Sequence, residues 1–285
     1  MTIYILAWLS SISYGFEAIL TKLSIRHSIT NPWHLNFFLQ LFITIISVFL
    51  SLWYGAGMPT VWAFLIIGSL CYALGGTLYV SAMKRLDASV LGSLYCFRTA
   101  MSVMFGYLFL SETLTIHQYI LIAVIFIAGI FVSLDEKFSI KSFFSRGVLI
   151  ALLDMVALVL WAACVKKSVP ANGFWTTTLW VAVLGQAWLL LTIPFFRNDL
   201  KVTKLKRYLP ILLTAVAGGA GTIFANAANA KNISIASTII SLPISMIIAI
   251  IFSVVAPELL EKHTHKVYAV RLVAAAIMTA AALGL

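Results

Sequence analysis

Three ionisable side chains lie where a chain this apolar has least reason to keep them. Glu17, Arg98 and Asp154 each fall well inside a long hydrophobic run. Carried unpaired into hydrocarbon, such a group costs about 2.5–3.5 kcal/mol on insertion scales, so each needs a reason to be there. Two arrangements supply one. A carboxylate can neutralise the guanidinium permanently and pin helices together. Alternatively the three face a central, water-filled cavity, where Arg98 holds an anionic group and a carboxylate holds a cationic group or a proton. Spacing favours the cavity: on a helix Tyr14, Glu17 and Thr21 share one face, as do Tyr95, Arg98 and Ser102, and Asp154 with Trp161.

Further polar stripes recur at helical spacing. Thr222, Asn226 and Asn229 form one, Ser234, Ser237, Ser241 and Ser245 another, and Tyr72, Gly76, Tyr79 and Met83 a third. Hydrogen bonding between helices explains small polar stripes at least as well as ligand contact does, and an aromatic stripe such as that of Tyr72 is more often packing than site. The candidate binding residues are therefore Tyr14, Glu17, Tyr79, Tyr95, Arg98, Asp154, Trp161, Asn226 and Asn229. Gly75-Gly76 and Ala217-Gly218-Gly219-Ala220-Gly221 permit close backbone approach or bending, and Pro243 frees a carbonyl inside an apolar run. Arg271 lies near enough to a helix end for its head to snorkel to the interface.

No catalytic constellation accompanies these residues. The five histidines fall in loops or at helix ends, and Cys71, Cys96 and Cys164 sit singly in apolar segments as small hydrophobes. Neither a metal set nor a phosphate-cradling loop is legible, so no cofactor and no enzymatic activity is expected.

The elements that must position the three charges follow from composition. Of 285 residues, 62% are hydrophobic and only 10% charged, and mean hydropathy is +1.05. A soluble domain carries roughly a quarter charged residues, so this surface faces lipid. Apolar windows of helix length fall at 3–22, 33–53, 61–83, 88–110, 116–134, 147–166, 174–196, 208–230, 235–255 and 267–285, which predicts an all-α, polytopic membrane protein of ten transmembrane helices. The first window lacks a basic leader and reads as a retained helix rather than a signal peptide. Trp33, Trp53, Trp62, Trp175 and Trp180 lie near window ends as interfacial anchors.

The formal charge of +10 does not point to nucleic acid, because the basic residues lie in short loops with no continuous basic face. Odd-numbered loops carry 14 Lys and Arg residues, against Lys166, Lys167 and Lys231 in the even ones. That bias places the odd loops in the cytoplasm and both termini outside.

The halves match in short stretches. Ala82-Met83-Lys84-Arg85-Leu86-Asp87 aligns with Asn229-Ala230-Lys231-Asn232-Ile233-Ser234, and Leu110-Ser111-Glu112-Thr113-Leu114 with Ala256-Pro257-Glu258-Leu259-Leu260. Five windows per repeat is an odd number, so the copies, 1–138 and 146–285, sit inverted in the membrane.

With Tyr14-Gly15 leading to Lys22, the Ala82-Met83-Lys84-Arg85 junction and the Leu110-Ser111-Glu112 step, the chain resembles the EamA-like group of the drug/metabolite transporter superfamily along its whole length. The fourth-window proline usual in that group is missing near Thr99, and Pro243 lies near the pseudo-equivalent place in the ninth. The resemblance implies a secondary carrier of small polar metabolites, an exporter or exchanger working by alternating access in a bacterial cytoplasmic membrane. Amino acids or related zwitterions suit one arginine and two carboxylates. A proton is the simplest coupling ion, with Glu17 or Asp154 as its carrier. A lipid-linked carrier or flippase, hinted at by the basic stretch 197–207, and a non-transporting membrane subunit are the alternatives. The partners expected are a small-molecule substrate, the lipid bilayer and a coupling proton.

The group's members are usually described with both termini in the cytoplasm, opposite to the charge count, which makes orientation directly testable. Cysteines added at the two ends are expected to react with an impermeant thiol reagent on intact cells; protection of both ends would overturn the assignment.

Overall fold

The computed structural model describes residues 2–110, 115–132, 144–255 and 265–284. Among them the chain forms helices α1 (Ile3–His27), α2 (Pro32–Trp53), α3 (Ala63–Arg85), α4 (Ala88–Leu94), α5 (Cys96–Leu110), α6 (Ile116–Val132) and α7 (Arg146–Asn172). These are followed by α8 (Phe174–Leu190), the short α9 (Arg197–Val202), α10 (Leu209–Lys231), α11 (Ile233–Ile240), α12 (Ile244–Val255) and α13 (His265–Gly284). No strand occurs among the described residues. Helices satisfy their own backbone hydrogen bonds, the requirement hydrocarbon imposes on any spanning segment.

Seven described stretches are long and apolar enough to cross a membrane, counting α4 with the first part of α5 as one, and three shorter apolar helices lie at 116–131, 174–190 and 236–248. All ten overlap predicted windows, although α7 continues past residue 166 to Asn172 and α8 stops at Leu190, short of residue 196. The junctions at 111–114 and 256–260 and the loop residues 135–141 lie outside the described residues, as does Lys262.

Local chemistry sets the helix ends. The Thr2 hydroxyl accepts from the Ile5 N–H, and Asn31, followed by Pro32 at the first helical position, accepts from Trp33. The Ser145 hydroxyl accepts from Val148. Pro170 lies in the final turn of α7 and removes one bond; the helix ends two residues later at Asn172, before Gly173, whose φ of +80° suits glycine.

Two spans are interrupted. Between α4 and α5 the helical ladder lapses at Tyr95, and the Arg98 N–H bonds back to Tyr95 O at 2.9 Å, a tighter three-residue turn. Between α11 and α12 the break falls at 241–243, where Pro243 can donate no bond. The broken helices pack together, α4 on α12 and α5 on α11. A methyl group on Gly92 would run into the Ser245 hydroxyl and come within 3.1 Å of the Met246 backbone nitrogen, so the approach needs glycine.

The other main packings join α3 to α7, α1 to α10, α2 to α8 and α6 to α13. Polarity is inverted relative to a soluble protein: Asn36, Ser47, Ser51, Ser69 and Thr214 are buried, whereas Phe49, Ile120, Leu153 and Leu213 point outward.

Two basic residues depart from the sequence reading. Lys22 does not end α1, which continues to His27; its ammonium instead donates to Met83 O and Leu86 O, satisfying carbonyls at the end of α3. Arg271 does not snorkel. It is 3% exposed, paired with Asp87 at 3.1 Å and donating to the Ser89 hydroxyl at 3.0 Å, because the start of α4 offers a carboxylate that open interface lacks. Lys22 and Arg271 thus tie α1, α3, α4 and α13 together at one end of the bundle.

Candidate functional site

A central cavity of about 820 Å³ of atom-free space, open solvent included, lies among α1, α2, α3, the two broken spans, α7 and α10. Seven of the nine candidate residues line it: Tyr14, Glu17, Tyr79, Tyr95, Arg98, Asp154 and Trp161. Asn226 and Asn229 do not. Both are buried one and two turns further along α10 than Thr222, the member of that stripe which does reach the cavity. Of the serine stripe only Ser245 lines it, while the Ser237 and Ser241 carbonyls accept from Thr99 Oγ1 and Cys96 Sγ on α5. Those two serines lie in the packing between helices, and Ser234 has no described side chain.

Each charge is held by its own helix. Asp154, fully buried on α7, accepts from the Tyr95 hydroxyl at 2.8 Å through Oδ2, while its Oδ1 has no hydrogen-bond partner among the described residues. It faces Gly75 on α3, where a Cβ would stand 3.5 Å from Oδ1. Arg98 is 2% exposed, with Nε and Nη2 also without partners among the described residues. It enters the cavity one turn after the break at Tyr95, so the interruption aims it. Neither a salt bridge from Arg98 to Glu17 nor one to Asp154 occurs among the described residues. Glu17 packs against α10, where a Cβ on Gly218 would stand 2.7 Å from its carboxyl carbon. On the same face Gly221 admits the Tyr14 ring, its carbonyl takes the Ser10 hydroxyl at 2.9 Å, and the Tyr14 hydroxyl meets Thr222 Oγ1 at 3.3 Å. The glycine cluster on α10 is therefore a seat for two cavity residues of α1.

Aromatic rings form the remaining wall. Tyr72 packs on Trp161 with centroids 5.2 Å apart, and Tyr79 on Tyr95 at 6.4 Å. The Tyr72 hydroxyl and Trp161 Nε1 lack partners among the described residues. Buried polar groups are normally satisfied, so a guanidinium, a carboxylate, a phenol and an indole left open around one cavity await water or a ligand. Rings beside carboxylates suit a cationic group, which the π faces and the negative charge both attract. Arg98 suits a carboxylate or another planar anion. No group of three or more potential metal ligands occurs among the described residues.

Sequence reasoning missed Gln40. It lines the cavity from α2, beside Gly76, where a Cβ would lie 2.6 Å from its amide nitrogen. The signal was present: Asn36, Gln40, Thr44, Ser47 and Ser51 recur at helical spacing, and all five are buried. Tyr72, read as a packing residue, is also a lining residue.

Residues 1–134 match the model of the EamA-like transporter family. No curated protein matches the chain. Eighteen solved chains match it in fold. One of them, described as "Crystal structure of protein", shares 15% identity over 96% of both chains with a TM-score of 0.63, a likeness that speaks of fold alone.

The contact between Glu17 and Gly218 yields a stability test. Gly218→Ala is expected to destabilise the protein by about 1–3 kcal/mol, as overpacking does. Adding Glu17→Ala should recover most of that loss in thermal unfolding of detergent-solubilised protein. Strictly additive losses would show that the two side chains do not compete for this space.

Proposed function

We propose that this chain, whose residues 1–134 match the EamA-like transporter family, is a multi-pass membrane transporter and a secondary carrier of small zwitterionic metabolites, amino acids or their relatives, working as an exporter or exchanger. One observation carries this reading. Arg98, Asp154 and Glu17 converge on a single cavity without pairing to one another among the described residues, and aromatic rings line the same cavity. A ligand with an anionic and a cationic end would satisfy groups that the fold leaves open.

Alternating access is the mechanism proposed, with the spans organised as inverted halves at 1–138 and 146–285. The packing supports that organisation. Numbering the spans in chain order, with α4–α5 as the fourth and α11–α12 as the ninth, α3 on α7 is the third on the sixth. Exchanging each span for the one five places on turns it into the eighth on the first, which is α10 on α1. The pairing of α3 with α8 becomes that of α10 with α2 in the same way. The second with seventh, fourth with ninth and fifth with tenth pairings map onto themselves, and the interrupted spans are the fourth and ninth. Broken helices beside a midplane site are the usual means by which carriers reveal a ligand to each side in turn.

The carrier resides in a bacterial cytoplasmic membrane, with the basic odd loops inside and the termini outside. Two carboxylates against one guanidinium leave one acidic group for a coupling proton, and Glu17 is the better placed, because Asp154 is already held by Tyr95. In proteoliposomes, Arg98→Ala and Asp154→Asn are each expected to reduce counterflow of a zwitterion carried by the wild type by at least about tenfold, as loss of a buried charged contact does. Unchanged counterflow in both variants would remove these residues from the site.

A further inference from the structure

The longest connection among the described residues, between α8 and α10, is built unlike the other turns. It is tied to the bundle from beneath. Phe196, 2% exposed, stacks on His34 with centroids 5.2 Å apart and planes at 8°, and Phe195 stacks on Trp33 at 5.0 Å. The Asn31 amide donates to Asp199 Oδ2 at 2.6 Å and to Phe195 O at 3.3 Å, and Tyr208 Oη lies 3.0 Å from His34 Nε2. The connection is thus fixed against the start of α2.

Its outer face combines two kinds of exposed side chain that water alone would not favour together. Arg197, Lys201, Lys204, Lys206 and Arg207 are all exposed. Between and beside them Val202 is 76% exposed, Leu205 86% and Leu209 61%. Asp199 is the single acidic residue of the stretch, and its carboxylate is turned to Asn31.

We propose that residues 195–209 form a strap that binds anionic phospholipid headgroups of the leaflet at this end of the bundle. Charge and depth both select that occupant. The basic heads match lipid phosphates, and apolar side chains interleaved with them enter the acyl boundary, as on interfacial segments that bind acidic membranes. A soluble anion would engage the basic heads but leave Val202, Leu205 and Leu209 in water. The strap packs on the start of α2 and leads from α8 into α10, the helix that seats Glu17 and Tyr14. The proposal requires a chain that spans the bilayer and does not depend on the zwitterion reading.

The test uses the full chain in detergent, titrated separately with dioctanoyl phosphatidylglycerol, dioctanoyl phosphatidylcholine and inorganic phosphate, with bound lipid read by native mass spectrometry and melting temperature. Phosphatidylglycerol is expected to bind about tenfold more tightly than phosphatidylcholine, and the exposed triple variant Lys201→Gln/Lys204→Gln/Lys206→Gln to lose that preference. Lys201→Arg/Lys204→Arg/Lys206→Arg should keep it, and Val202→Ser/Leu205→Ser should weaken the lipid without affecting phosphate. Equal binding of the two lipids, or a glutamine variant that binds like the wild type, overturns the proposal. So does inorganic phosphate reproducing the whole effect at the same concentration, since that would mark a soluble-anion site.

Discussion

Charge inside a bundle whose outside is hydrocarbon dominates the physics of this chain. Lipid-facing positions tolerate only apolar side chains, so every ionisable group placed deep in the spans must turn inward and meet something polar. Arg271 shows how the fold meets that demand structurally: it finds Asp87 and Ser89. Arg98 shows the other case, a guanidinium equally buried but with nitrogens that have no partner among the described residues. The contrast within one molecule separates a charge that fastens helices from one kept open beside a cavity.

The helices are shaped around that cavity. An unbroken fourth span would carry its backbone bonds straight past Tyr95, and an unbroken ninth would do the same past Leu242; interrupting both sets Tyr95, Arg98 and Leu242 at the cavity wall. Glycines then set the depth. Gly218 and Gly221 let α10 close on Glu17 and Tyr14, and Gly92 lets α4 approach α12. Close contact without large side chains is how helices associate where burial from water gives no drive.

Much of this was legible from residue types and spacing. The apolar windows coincide with seven helices long enough to span a bilayer and overlap three shorter ones, because a bilayer demands long apolar runs. The charged and aromatic stripes found seven cavity residues, since an inward-facing polar group announces itself against a hydrophobic background. Four features escaped. Gln40 belongs to a polar stripe that carries no ionisable group and so stood out less. The break at Tyr95 has no proline, and nothing local in the sequence accounts for it. Asn226 and Asn229 share a face with Thr222, yet a helix spans 1.5 Å per residue and one face runs past a small cavity within two turns. Arg271 looked terminal in sequence, and only tertiary packing supplied its carboxylate.

In the proposed function Glu17, Arg98 and Asp154 serve a ligand rather than hold the bundle together. Buried ion pairs often contribute little to stability, and groups left open contribute less still. The most direct measurement is the melting temperature and counterflow of the neutral variant Glu17→Gln/Arg98→Met/Asp154→Asn. The structure predicts a folded protein melting at or above the wild-type temperature, with counterflow abolished. A variant that fails to fold, or one that folds and still exchanges substrate, would contradict it.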